Sequence, residues 1–325
     1  MTALLSVDGL VKQYPVAGRR GGTLHAVDGV GFTLAAGRTL GIVGESGCGK
    51  STTAKLVLGM IPASSGRIAF AGEPVTALRD ARWRDQRRSM QMIYQDPMAA
   101  LDRRLTVGEQ VLEPLAIHGL EVGDAARRDR ALSLFDAVGL RPELFGRYPH
   151  ELSGGQRQRV VIARALILDP KLVVCDEAVS ALDVSVAAQV INLLQDLQAR
   201  SGIAYLFISH DLKVVRQVAD EVAVMYLGRI VEQGRPDQLL HAPAHPYTEA
   251  LVSAVPGLRP RRRERIVLAG DPPNPVDRPS GCAFHPRCPR ALPRCRTEAP
   301  ALRPAPDGRL AACHLVPAAS RAAAA

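Results

Sequence analysis

A chain of 325 residues, 47% hydrophobic and 22% charged, has an ordinary soluble composition and the length for more than one domain. It contains no uninterrupted apolar run of 18 or more residues, so no membrane-spanning helix is expected. The formal net charge of +9 admits a nucleic acid or an anionic membrane face as partner, but only 4% of residues are aromatic and no base-stacking platform is evident, so no nucleic acid is expected. The scattered arginines read as a solvated surface, with residence beside a lipid headgroup layer as the second reading. One dense patch stands at Arg259, Arg261, Arg262, Arg263 and Arg265.

In chain order, the N-terminus carries Asp8 early, with no basic leader and no long apolar core, so the chain is expected to stay in the cytosol. Residues 39–43 form an apolar strand, followed by a glycine loop and then a helix over residues 51–60. That is the strand, loop, helix order that a phosphate-binding loop requires. Ala131, Leu134, Phe135 and Val138 fall on one helical stripe closed by Gly139, and residues 96–165 read as mainly helical. Leu172-Val173-Val174-Cys175 is a buried strand ending in Asp176-Glu177. Tyr205-Leu206-Phe207-Ile208 is another, ending in Ser209-His210. Strands alternating with helices predict an α/β fold with a parallel-sheet core covered on both faces. Ligands then gather at the carboxyl ends of the strands, where the polar clusters fall.

Past residue 235 the texture changes. Pro243, Pro246, Pro256, Pro260, Pro272, Pro273, Pro275 and Pro279 predict an irregular, loop-rich extension, and the alanine-rich end after about residue 316 predicts a frayed tail. No internal repeat is visible. Cys48 and Cys175 lie in the sheet motifs, whereas Cys282, Cys288, Cys295 and Cys313 crowd the C-terminus with the spacing C-x5-C-x6-C-x17-C. In a reducing compartment such a cluster reads as a metal site rather than a set of disulfides. Four thiolates suit either Zn²⁺ or [4Fe–4S], and Arg287, Arg290, Arg294 and Arg296 would offset the negative charge of either.

Gly44-Glu45-Ser46-Gly47-Cys48-Gly49-Lys50-Ser51 matches the phosphate-loop pattern in full. Backbone N–H groups of Gly44, Ser46, Gly47, Cys48 and Gly49 would converge on phosphate oxygens. Lys50 would neutralise β- and γ-phosphate charge, Ser51 would hold Mg²⁺ and Thr52 could add a phosphate hydrogen bond. Glu177, next to the strand end, could polarise an attacking water. A thiol near a helix N-terminus, as at Cys48, can have a lowered pKa, but an innocuous loop side chain is the favoured reading. Ser153-Gly154-Gly155-Gln156 pairs a flexible turn with a helix N-terminus aimed at an anion.

The two motifs together resemble the two halves of an ATP site in the ATP-binding cassette family, a fold class of P-loop NTPases. That resemblance implies an antiparallel β part, a cassette core over residues 1–95 and 166–235, a helical subdomain with the signature motif over 96–165, and an extension over 236–325. It makes Leu172 to Asp176 a Walker B strand, with Asp176 holding Mg²⁺ through water. Gln95 matches a glutamine that touches Mg²⁺ and the lytic water, and His210 a switch histidine that contacts the γ-phosphate. Asp183, in Ser180-Ala181-Leu182-Asp183, matches a loop crossing the dimer seam, and Tyr14 an adenine-stacking aromatic. The Ser153–Gln156 signature would cap ATP bound to another subunit. One departure is Ala178, where the family usually has proline; it leaves the turn after Glu177 less preset.

His245-Pro246-Tyr247-Thr248-Glu249-Ala250-Leu251 looks like the C-terminal signature of oligopeptide/dipeptide importer ATPases, as do Arg147-Tyr148-Pro149-His150 and Tyr226-Leu227-Gly228-Arg229. This resemblance implies an ATP-hydrolysing subunit, peripheral on the cytoplasmic face of the inner membrane. Its partners would be a sister ATPase, two transmembrane permease subunits meeting it near residues 96–104, and indirectly a periplasmic binding protein. It also implies [4Fe–4S] at the four cysteines. Alternatives are an importer ATPase for nickel, another metal chelate or a sugar, or a non-transport cassette ATPase in DNA repair or translation. A P-loop kinase would lack the Ser153–Gln156 signature.

Overall fold

The computed structural model describes residues 3–16, 22–78, 80–120, 123–255 and 265–319. Four arginines of the dense patch (Arg259, Arg261, Arg262 and Arg263), Pro256, Pro260 and the last residues of the alanine-rich tail lie outside these.

The chain opens with two long strands, β1 (Ala3–Pro15) and β2 (Thr23–Ala35), followed by β3 (Thr39–Val43) and helix α1 (Lys50–Val57). Next come β4 (Ser65–Phe70), β5 (Glu73–Pro74), α2 (Ala81–Ser89) and β6 (Met90–Ile93). A helical stretch follows: α3 (Pro97–Ala100), α4 (Val107–Ile117), α5 (Asp124–Ala137) and α6 (Gly154–Leu166). The chain then alternates β7 (Leu172–Asp176), α7 (Val184–Ser201), β8 (Ala204–Ser209), α8 (Leu212–Val218) and the hairpin β9 (Glu221–Tyr226) and β10 (Arg229–Gly234). It closes with α9 (Pro236–His241), α10 (Pro246–Ser253) and two short strands, β11 (Arg303–Pro304) and β12 (Leu310–Ala311).

Two sheets result. An antiparallel sheet has the order β2-β1-β4-β5. The larger sheet has the order β11-β12-β10-β9-β3-β8-β7-β6, parallel from β9 through β6 and antiparallel from β9 outward. The antiparallel edge is where the C-terminal extension joins: β12 pairs Ala311 with Glu232 of β10.

Because successive strand side chains point to opposite faces, the parallel strands divide their residues between two cores. Val173, Cys175, Tyr205, Phe207, Val222 and Val224 face a core shared with α5, α6 and α7. Leu172, Val174, Leu206, Ile208, Ala223 and Met225 face a second core filled by α1 and the antiparallel sheet, including Leu5, Leu10 and Phe32. The strands are apolar on both faces for this reason, as central parallel strands must be. The stripe on α5 behaves likewise: Ala131, Phe135 and Val138 are fully buried, and Gly139 closes the helix at φ 69°.

Among the described residues no helix is long and apolar enough to cross a membrane.

Candidate active site

The phosphate loop is shaped by close backbone packing. Gly44 has φ 157°, and a Cβ there would sit 2.1 Å from the Met225 carbonyl oxygen; one on Gly49, at φ 107°, would sit 2.2 Å from that of Ala26. No other residue fits either position. Lys50 is 5% exposed and donates from Nζ to the carbonyls of Gly44 (2.8 Å) and Glu45 (3.0 Å), so its charge lies within the loop's own ring. Ser46, Gly47 and Ser51 are exposed and Thr52 is half-buried. Cys48 is buried and burial pushes its thiol pKa up, which favours the inert thiol over a reactive thiolate.

The ends of β7 and β8 bring the remaining residues to this loop. The Ser51 hydroxyl donates to Asp176 Oδ1 at 3.0 Å. Two oxygens this close, one of them a carboxylate, fit a Mg²⁺ site. Burial pushes the Asp176 carboxyl above its ordinary range, against the hydrogen bond from Ser51. Glu177 Oε2 accepts from Gln95 Nε2 at 3.1 Å and lies 3.3 Å from His210 Nδ1. Residues from β6, β7 and β8 therefore converge on one carboxylate, as a water-activating site needs. Ala178, in place of proline, is 2% exposed.

The signature residues lie apart from this constellation. Ser153 caps α6: its hydroxyl accepts from Gln156 N (3.3 Å), while Gln156 Oε1 accepts from Ser153 N (2.9 Å). With Gly154, Gly155 and Asp183 they line a separate hollow of about 290 Å³. A Cβ on Gly155 would fall 2.7 Å from Val186 Cγ1, so the glycine lets α7 approach. Tyr14 is half-buried on β1, with the Lys12 ammonium 4.9 Å from its ring centre.

Another groove, of about 330 Å³, runs between α2, β6, α4 and α6, bordered by Arg84, Gln91, Tyr94, Ile117 and Arg164. Of residues 96–104, only Ala100 lines it.

The four C-terminal cysteines share one neighbourhood: Cys282 N donates to the Cys295 carbonyl at 2.9 Å. The structure does not show the expected metal site. Among the described residues no group of three or more His, Cys, Asp or Glu is arranged to hold a metal ion. All four cysteines are free thiols, and burial raises the pKa of Cys282, Cys288 and Cys313. Four thiol sulfurs in one lobe are a donor set that suits zinc or an iron–sulfur cluster.

Sequence reasoning placed Tyr247 in a family motif and Arg287 beside the cysteines, but missed that both hold the phosphate loop from behind. Tyr247 and Arg287, both from the extension, bond Glu45. Their partner lies 202 and 242 residues away, so no local spacing could mark them.

This fold and this site define a P-loop ATPase of the ATP-binding cassette class. The pattern of the ABC transporter family matches residues 27–180, and that of the oligopeptide/dipeptide transporter C-terminal region matches residues 231–295. A probable peptide ABC transporter ATP-binding protein of Sinorhizobium fredii is 52% identical over 319 residues, covering 96% of this chain and 90% of its own. The oligopeptide transport ATP-binding protein OppF of Salmonella typhimurium is 51% identical, covering 86% and 85%. The dipeptide transport ATP-binding protein DppF of Haemophilus influenzae is 48% identical, covering 96% of each. Among solved structures, the dimeric cassette MJ0796 in a post-hydrolysis state bound to ADP and Pi aligns with a TM-score of 0.65 at 26% identity, over 71% of this chain and 98% of that one. The chain belongs to the ABC transporter ATP-binding proteins of the oligopeptide/dipeptide branch, and it is an ABC-type ATPase.

Proposed function

We propose that this chain powers the import of di- or oligopeptides across a bacterial inner membrane, as one of two ATPase subunits seated on the cytoplasmic side of a pair of permeases. The observation that carries this reading is the union, in one chain, of the cassette over residues 27–180 with the oligopeptide/dipeptide transporter C-terminal region over 231–295. Relatives named for oligopeptide and for dipeptide transport match most of the chain.

The positions of the residues support a division of tasks. Lys50 and the loop N–H groups hold the phosphates, and Tyr14 would stack the adenine. Ser51 and Asp176, with Gln95, would hold Mg²⁺, which offsets phosphate charge. Glu177 orients and polarises the attacking water, steadied by Gln95 and His210. Ser153, Gly154, Gly155, Gln156 and Asp183 would close over ATP held by the sister subunit, so that ATP joins the blades and hydrolysis parts them. The working divisions would be the core (1–95 and 166–235), the helical subdomain (96–165) and the extension (236–325). The groove bordered by Tyr94 and Ile117, both exposed, offers the permeases an apolar foothold. The four cysteines would take [4Fe–4S] or zinc.

The test is anaerobic purification of the tagged chain from detergent-solubilised membranes, with identification of the accompanying chains and assay of iron, sulfide and zinc. Two permeases and a second ATPase support the reading. A soluble protein recovered beside DNA or ribosomes removes it. Metal-free preparations with full ATPase activity remove the cluster alone.

A further inference from the structure

The extension reaches the nucleotide loop at its second residue. Glu45 follows Gly44, and its N–H donates to the Tyr247 hydroxyl at 2.9 Å. Its carboxylate accepts from both terminal nitrogens of Arg287, at 2.9 and 3.3 Å. The Arg287 side chain is 8% exposed and that of Glu45 28%, so salt screens the pair weakly.

Arg287 is itself fixed. Phe284, 1% exposed, meets the Tyr226 ring edge-on with centroids 5.2 Å apart and the Tyr247 ring at 5.4 Å. Arg287 N donates to the Phe284 carbonyl at 3.0 Å, closing a tight turn that aims the guanidinium at the loop. One aromatic cluster thus seats both Arg287 and Tyr247.

Glu45 is the one carboxylate in the phosphate loop. Left unpaired, it would repel a triphosphate. A bidentate guanidinium cancels that charge and fixes the carboxylate's direction, while Tyr247 fixes the adjoining peptide. We propose that Arg287 is a positioning residue for ATP binding: by pairing with Glu45 it neutralises and sets the phosphate loop, so nucleotide affinity depends on the C-terminal extension. The proposal rests on reading residues 44–52 as an ATP loop. A pair that only fastened the extension would alter stability and leave affinity unchanged.

The experiment titrates the full-length chain with a fluorescent ATP analogue and Mg²⁺, and measures kcat and KM for ATP in the assembled transporter. Arg287→Ala is expected to weaken binding about ten-fold. The loss should appear in KM, with kcat at saturating ATP within about two-fold of the parent. Arg287→Glu should bind more weakly still, and Arg287→Glu combined with Glu45→Arg should recover most of the affinity. Arg303→Ala removes a guanidinium that bonds the Val316 carbonyl within the extension, and should keep the parent affinity. Parent affinity in both Arg287 variants overturns the proposal, and so does an equal loss in Arg303→Ala. If Arg287→Ala does not fold, Arg287→Gln, which keeps length and polarity, is read by the same criteria. A parent chain that binds no nucleotide, or Lys50→Ala that binds it normally, removes the ATP reading itself and is distinguishable from failure of the pair.

Discussion

At Glu177 the backbone lies in the left-handed region, with φ 51°, which costs a non-glycine residue about 1–3 kcal/mol. It is held there by Glu177 N donating to the Ile208 carbonyl at 2.9 Å, and by Ser180, whose N–H and hydroxyl both donate to the Glu177 carbonyl. The strained turn presents the carboxylate to Gln95 and His210. Replacing it with an amide, Glu177→Gln, should reduce steady-state phosphate release by the equivalent of about 2.7–4 kcal/mol while nucleotide titration shows ATP still bound. Undiminished release would take Glu177 out of this role. His245 makes a different prediction. It is 1% exposed, its Nδ1 accepts from Tyr247 N at 3.0 Å, and burial, helped by Arg290, pushes its pKa down to about 3. The unfolded chain takes up a proton below about 6.5 while the native histidine does not, so stability should fall as pH is lowered from 6.5 towards 3, by about 1.4 kcal/mol per unit. Chemical denaturation across that range should show a shallower slope for His245→Asn, which keeps the capping acceptor; equal slopes would assign the pH dependence elsewhere. The signals that marked Lys50, Ser51 and Glu177 as candidates in the sequence were local, a loop pattern and a strand end. His245 stood in a recognisable motif, yet its neutrality depends on walls built from β10 and the extension, which no neighbouring residue announces.

Among the elements, the parallel strands were legible because burial on both faces writes an unbroken apolar run, as in β7 and β8. The antiparallel pair was not legible in the residue pattern, and only the family resemblance implied it. Strands β1 and β2 span 13 residues each, but register shifts between Val7 and Leu10, between Leu10 and Val11, and between Lys12 and Gln13 reset the two-residue alternation. The same sheet anchors the extension. Asp28 on β2 accepts from Arg229 Nε of β10 at 2.7 Å and from Arg278, which also donates to the carbonyls of His25 and Leu227. Burial works against the Asp28 charge, but the two guanidiniums outweigh it and hold the carboxyl below its ordinary 3.8. A carboxylate with a lowered pKa stabilises the native state above its unfolded value and loses that contribution as pH falls through the native one. Asp28→Asn should therefore cost about 2 kcal/mol in chemical denaturation at neutral pH, with the gap closing below pH 3.8. A gap that persists unchanged in acid would mean that packing, not charge, joins these elements.

For the whole molecule, the Ser153–Gln156 helix end lines a hollow that none of Lys50, Ser51, Asp176 or Glu177 borders, which suits a site completed by a second subunit. Ser153→Asp separates the two roles. Aspartate caps a helix as well as serine does, so stability should change by no more than about 0.5 kcal/mol. The added charge would face the phosphates of the neighbouring subunit's nucleotide. Turnover of the assembled transporter should fall about ten-fold or more while the chain's own ATP affinity is kept. Turnover equal to the parent would show that this helix end faces no phosphate. The pairing of β12 with β10 bears on how such a protein can be cut and recombined. Glu232 of β10 is fully buried, and its carboxylate accepts from Arg309 at 3.0 Å and from the N–H groups of Ala244 and His245. A chain trimmed to the cassette would strand that charge in an apolar wall with every one of these partners gone. The smallest piece that can be lifted out and grafted onto another transporter is thus larger than the piece that performs the chemistry, and a chimaera has to carry its own ending with it.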